Sequence, residues 1–220
     1  MGLGNNIRPI YLQFADGKVV QTFKEPTAKS KERVNKNGKK VHEEHHDYIT
    51  GYIVKAGVTE HEDYGKFFNV VLKDDESDQL YTIQMGLSSA YASAFLKAIP
   101  NADVQKVITL IPHMKMVDDQ KKVSLFVSQY GKALKHFFTK DNPNGMPGPV
   151  KVRVKGVDTW DYFDQTEFLV DNYFKNIQPK IGTPPMAAKI DEQLSGSSEA
   201  LTISDIENEP INSPLDDLPF

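Results

Sequence analysis

The chain contains no cysteine. Disulfides, a Cys-ligated zinc and a thiol nucleophile are thereby excluded. No apolar run approaches the ~20 residues that a membrane-spanning helix requires. The opening MGLGNNIRPI lacks the charged start and apolar stretch of a secretory signal, so a cytoplasmic location is expected. Asn6 stands where a myristoylation signal needs Ser or Thr. Three enzyme signatures are also missing: a P-loop, G-x-S-x-G and H-E-x-x-H. Large apolar residues are in short supply. A hydrophobic fraction of 39% places part of the 220 residues outside any core.

What is present is charge, unevenly placed. The net charge of −4 hides a polarity. Residues 183–220 hold one cation, Lys189, against eight acids, a net −7. Residues 1–182 carry 25 cations and 22 acids, a net +3. Such asymmetry points to nucleic acid or to charge-driven partner choice.

Along the chain, alternation marks strands and breakers separate them. Ile7–Phe14 and Lys18–Phe23 flank Asp16-Gly17, which is a hairpin signal. Lys24–Lys40 holds seven cations and two acids, has few large apolar residues, and reads as a mobile basic loop. Residues 1–46 thus form an N-terminal hairpin and basic loop. Three strands follow, at Asp47–Val58, Tyr64–Asp74 and Leu80–Met85. A helix is predicted over Leu87–Ile99, capped by Ser88 or Ser89, with Leu87, Tyr91, Phe95 and Ile99 on one face. Two more strands, Lys106–Met116 and Lys122–Tyr130, flank Asp118-Asp119-Gln120. Three strands, a helix and two strands is the connectivity of an OB fold, a five-stranded barrel, here over 47–131. Residues 132–182 read as a strand (Val150–Val157) and a helix (Asp164–Ile177, with Asp164 and Glu167 at capping-box spacing) packed on the barrel. From Thr183 the polar chain reads as a disordered acidic tail. The expected class is mainly β.

The strands carry more rings and cations than a core needs. Alternation places Tyr52, Phe67 and Phe126 on solvated faces, Tyr64 at the start of a strand and Tyr130 at the end of one. Lys55, Lys66, Lys73, Lys115, Lys121 and Lys122 lie beside them. Rings between cations suit a single strand, whose bases stack while its phosphates are neutralised. Lys29, Lys31 and Arg33 of the basic loop add attraction for any polyanion. The segment His42-Glu43-Glu44-His45-His46-Asp47 collects imidazoles and carboxylates. It abuts a loop and has no matched partner motif, so it reads as a polar, pH-sensitive strand start. Asp158, Asp161, Asp164 and Asp171 offer a nuclease its carboxylates, although Asp164 is accounted for as a helix cap. No metal, no cofactor and no enzymatic activity are expected.

The last five residues are Asp216-Asp217-Leu218-Pro219-Phe220. Phe220 suits an apolar pocket, its terminal carboxylate an Arg or Lys, and the aspartates a basic rim. This tip closely resembles that of bacterial single-stranded DNA-binding proteins. The barrel order and acidic linker resemble that family too. The resemblance implies an OB fold that coats single-stranded DNA in replication, recombination and repair, and a tip that recruits replication and repair proteins. The hairpin before the barrel, the extension after it and the short linker are similar to a diverged bacteriophage member, for which the location is the host-cell cytoplasm. An RNA-binding OB protein and a metal-dependent nuclease are the alternatives.

Overall fold

Asp16 and Gly17 reverse the chain in two residues, both left-handed at φ 47° and 74°. That is the geometry a tight hairpin between twisted strands demands. It joins β1 (Ile10–Ala15) to β2 (Lys18–Phe23). The computed structural model describes residues 9–35 and 38–182. The tail over 183–220, including Asp216, Asp217, Leu218, Pro219 and Phe220, lies outside the described residues.

After β2 come β3 (Lys31–Val34), β4 (Lys40–His46), β5 (Ile49–His61), β6 (Gly65–Lys73) and β7 (Leu80–Gly86). Helix α1 (Ala90–Ala98) follows. The Ser89 hydroxyl caps it by accepting from the Ala92 N–H at 3.2 Å. Then come β8 (Ile108–Val117), β9 (Gln120–Gln129), the short β10 (Lys132–Ala133), β11 (Val150–Val154) and β12 (Val157–Asp161). Helix α2 (Phe163–Asn172) continues into a π-helical turn at Tyr173–Ile177. Asp161, rather than Asp164, accepts the first free N–H of this helix, that of Phe163, at 2.9 Å.

The described strands form a mainly β protein with a ten-stranded mixed sheet, ordered β10-β9-β8-β5-β6-β7-β1-β2-β4-β3. Three strands, a helix and two strands do follow one another from β5 to β9. The expected closed five-stranded barrel is not formed by the strand pairing. Closure needs the last strand beside the third, but β1 takes the free edge of β7 in a parallel pair, Ile10 opposite Tyr81. The N-terminal hairpin is therefore part of the main sheet. The basic loop also differs from expectation, because β3 within it pairs with β4. Ion pairs replace apolar packing there. The Arg33 guanidinium donates to Glu43 at 2.6 and 2.8 Å, and Lys40 lies 2.9 Å from Glu32.

The sheet curls until the β1–β2 turn meets β8. A Cβ at Gly17 would stand 2.6 Å from the Met114 nitrogen. Lys121 bridges to Asp16 at 2.8 Å, and the Gly17 N–H donates to the Tyr91 hydroxyl at 3.0 Å. Gly17→Ala combines a left-handed φ with a backbone clash. It is expected to cost about 2 kcal/mol or more. A urea midpoint close to wild type would mean that the turn moves off β8 freely.

The core lies between the sheet and the two helices. Phe14, Phe68, Ile83, Leu72, Phe95 and Leu110 are almost fully buried. Phe68 is a hub, with ring centroids 5.9 Å from Phe95 and 5.2 Å from Tyr173. Phe138 meets Phe168 at 5.6 Å, so the segment after β10 seats α2 on the same core. Burial raises the pKa of Tyr173, whose hydroxyl finds no partner among the described residues. An unpaired buried hydroxyl is costly. Tyr173→Phe is expected to raise stability by about 1 kcal/mol, read by thermal denaturation. A lower melting temperature would show that the hydroxyl is satisfied.

Candidate nucleic-acid interface

Residues opposed across antiparallel strands share a face. Across β8 and β9, the outward pairs are Ile111 with Phe126, His113 with Ser124, and Lys115 with Lys122. Phe126 is 45% exposed although it is apolar. The His113 ring meets its edge at 5.8 Å. Lys115 and Lys122 are both exposed. A ring, an imidazole and two ammonium groups thus stand on one solvated strip. The two-residue turn that closes it, Asp118-Asp119, is left-handed at φ 50° and 59°.

The strip continues onto β5. Thr50 opposes Thr109, and their hydroxyls lie 3.0 Å apart. Tyr52, two residues on, faces the same way and is half-buried. Plain alternation would turn Lys55 to the other side. A bulge between Ile53 and Lys55 resets the register, so Tyr52 opposes Lys73 and Lys55 opposes Val71. Lys73 and Val71 share a face, and the bulge therefore aims the exposed Lys55 with Tyr52. Lys73 itself is buried and bridges to Asp78 at 2.9 Å.

Other candidates fall elsewhere. Phe67, expected on a solvated face, is only 5% exposed. It stands opposite Gly86, which has no side chain to prop the ring away from the sheet. Phe68 is buried beside it, so both faces of β6 are covered at this point. Lys66 shares the Phe68 face and stands opposite Glu60. Tyr64 sits in the β5–β6 turn against His61, centroids 4.8 Å apart. Lys121 lies at the β8–β9 turn beside Asp16. Arg33 is held by the buried Glu43, whereas Lys29 and Lys31 are exposed at the sheet edge. Tyr130, 76% exposed, occupies a two-residue turn with Gly131 at an unusual φ of 53°.

The histidine-rich segment becomes β4, and alternation divides it. Glu43 and His45 pair at 3.3 Å on one face, and Glu44 and His46 lie 3.9 Å apart on the other. Among the described residues no group of three or more His, Asp and Glu is placed to hold a metal ion. Asp158 lies 2.7 Å from Lys151. A cleft of about 530 Å³ opens between β2, β4 and β5, lined by Gln21, His46, Tyr48 and Tyr81 among others. At its rim Lys18, 2.5 Å away, holds the Asp47 carboxyl below its usual range. Near the end of α1, burial lowers the pKa of Lys97, and burial together with Lys97 lowers that of His136.

Reading for the pattern alone missed Ile111 and His113. The same alternation that exposes Lys115 turns both to that face, where His113 is exposed and Ile111 half-buried. It also missed Trp160, Tyr162 and Phe163, all more than half exposed around β12. No helix of the described residues is long and apolar enough to cross a membrane. Searches against family models, curated proteins and solved structures find no match for the chain.

Proposed function

We propose that this protein is a non-catalytic, sequence-tolerant binder of single-stranded DNA. The carrying observation is the exposed Phe126, flanked on one face by His113, Lys115 and Lys122. Bases stack on such a ring, and the ammonium groups follow the phosphates. Tyr52 and Lys55 extend the path onto β5, and Tyr130, two residues beyond Ser128, stands at that same end on the β9 side. Lys29 and Lys31 add attraction from the sheet edge. In this reading β5 to β9 are an OB-type core whose closing position is taken by β1. The acidic tail and its Asp-Asp-Leu-Pro-Phe tip recruit replication and repair proteins in the cytoplasm, that of the host cell for a phage protein.

The test is a salt-titrated binding measurement with oligo(dT), duplex DNA and oligo(rU). The expected result is tightest binding to oligo(dT), with affinity falling steeply as salt rises. Absence of preference for single strands over duplex overturns the proposal, and preference for oligo(rU) moves it to RNA. Tyr130→Asn separates binding from folding. Asn-Gly is the favoured pair for this turn, so stability is expected to hold or rise. Affinity for oligo(dT) is expected to fall by about five-fold, the low end of one lost stack. Unchanged affinity would remove Tyr130 from the path.

A further inference from the structure

Strands β11 and β12 form a two-stranded sheet of their own, apart from the ten-stranded one. Its turn, Lys155-Gly156, is left-handed at φ 49° and 86°. An isolated hairpin is marginal in water, and this one presents large side chains to solvent on both faces. The faces differ in chemistry. Val150, Val154 and Val157 stand on one, each more than half exposed. On the other, Trp160 is directly opposite Lys151, and Arg153 is opposite Asp158. Trp160 is 55% exposed. Tyr162, two residues on at the hairpin's base, is exposed as well. Asp158 lies 2.7 Å from Lys151 and 3.9 Å from Arg153, which draws both cations to the same face as the ring.

We infer that the Trp160 face of this hairpin is a second contact for the single strand, separate from the Phe126 strip. The inference rests on the single-strand reading above. Trp160, with Lys151 directly opposite and Arg153 one pair farther along the same neighbouring strand, provides a stacking plane and two cations for the phosphates beside it. The hairpin is roughly 17 Å long, at ~3.4 Å per residue, and pairs with no strand of the ten-stranded sheet that carries Phe126. Charge selects this occupant. The valine face carries an acid and no cation, Asp161 opposite Val150, whereas the Trp160 face carries Lys151 and Arg153 against Asp158, so a polyanion is drawn to the Trp160 face.

Trp160 is the only tryptophan, so its emission reports on this hairpin alone. Full-length protein would be titrated with oligo(dT), following tryptophan emission and, in parallel, the anisotropy of a labelled oligonucleotide. Emission is expected to be quenched with the same midpoint as the anisotropy change. Trp160→Ala, followed by anisotropy, is expected to bind about five-fold more weakly or worse. The double variant Lys151→Ala/Arg153→Ala is expected to show a shallower salt dependence. Wild-type affinity in Trp160→Ala overturns the inference whatever the emission does, while leaving the single-strand reading intact. Emission that follows protein concentration without DNA marks contact between copies and overturns it too. Absence of any oligonucleotide binding overturns the single-strand reading itself, and the inference with it.

Discussion

Phe68→Ala is expected to lose about 3–5 kcal/mol of folding stability. The ring is fully buried and touches three others, Phe95 on α1, Tyr173 and, at 6.3 Å, Phe174. Removing it leaves a cavity where the sheet, α1 and the end of α2 meet, and rigid elements on three sides limit its collapse. Small domains are stable by only about 5–15 kcal/mol, so the loss is a large share of the total. It should be spatially graded. The segment from Phe138 to Ile177 reaches the core largely through Phe138, Leu169, Tyr173 and Ile177, so it should loosen first. Urea denaturation gives the total, and limited proteolysis should cut after β10 before the sheet is attacked. A loss under about 1 kcal/mol would show that the neighbouring rings close the gap.

The triple variant Lys115→Ala/Lys122→Ala/Phe126→Ala is expected to weaken oligo(dT) binding by two orders of magnitude or more at moderate salt while leaving the fold intact. One lost stack is worth about 1–3 kcal/mol. Two lost phosphate contacts should also lower the salt slope by about 1.4. All three side chains are exposed, so their removal opens no cavity. Phe67→Ala is the contrasting control. Its ring is buried, so the variant should lose stability while its folded fraction binds as before. If Phe67→Ala weakened binding and the triple variant did not, the strip on β8 and β9 would be the wrong face.

The parts of this arrangement that are visible in the sequence are local. Asp16-Gly17 and Asp118-Asp119 mark turns because few residues tolerate left-handed backbone. Ser89 and the Tyr91, Phe95, Ile99 spacing mark α1, and alternation exposes Phe126 and Lys122. What stays hidden is non-local or corrective. The β1–β7 pair joins residues far apart, and nothing in Ile10–Ala15 names its partner. Strand β3 has too little apolar surface to be recognised, because the buried Glu43 that holds Arg33 belongs to another strand. The bulge before Lys55 carries no glycine to announce it. Phe67 is buried because its neighbour across the ladder happens to be a glycine. The single strand expected over Val150–Val157 is instead broken at Lys155-Gly156, whose left-handed backbone turns the chain back into β12.

The parallel pair has a consequence for how the molecule is made. β1 is made before the other described strands, yet Ile10 waits for Tyr81, roughly 70 residues later. During that interval the β1–β2 ribbon has only its own ladder and β4 to hold it. β7 in turn emerges with a bare edge, the kind that recruits strands from other chains. Folding is therefore expected to be slow for the size of the chain and sensitive to crowding by nascent copies. A chain that began after Phe23 would keep that edge open for good, and its first symptom would be aggregation during synthesis rather than weak binding.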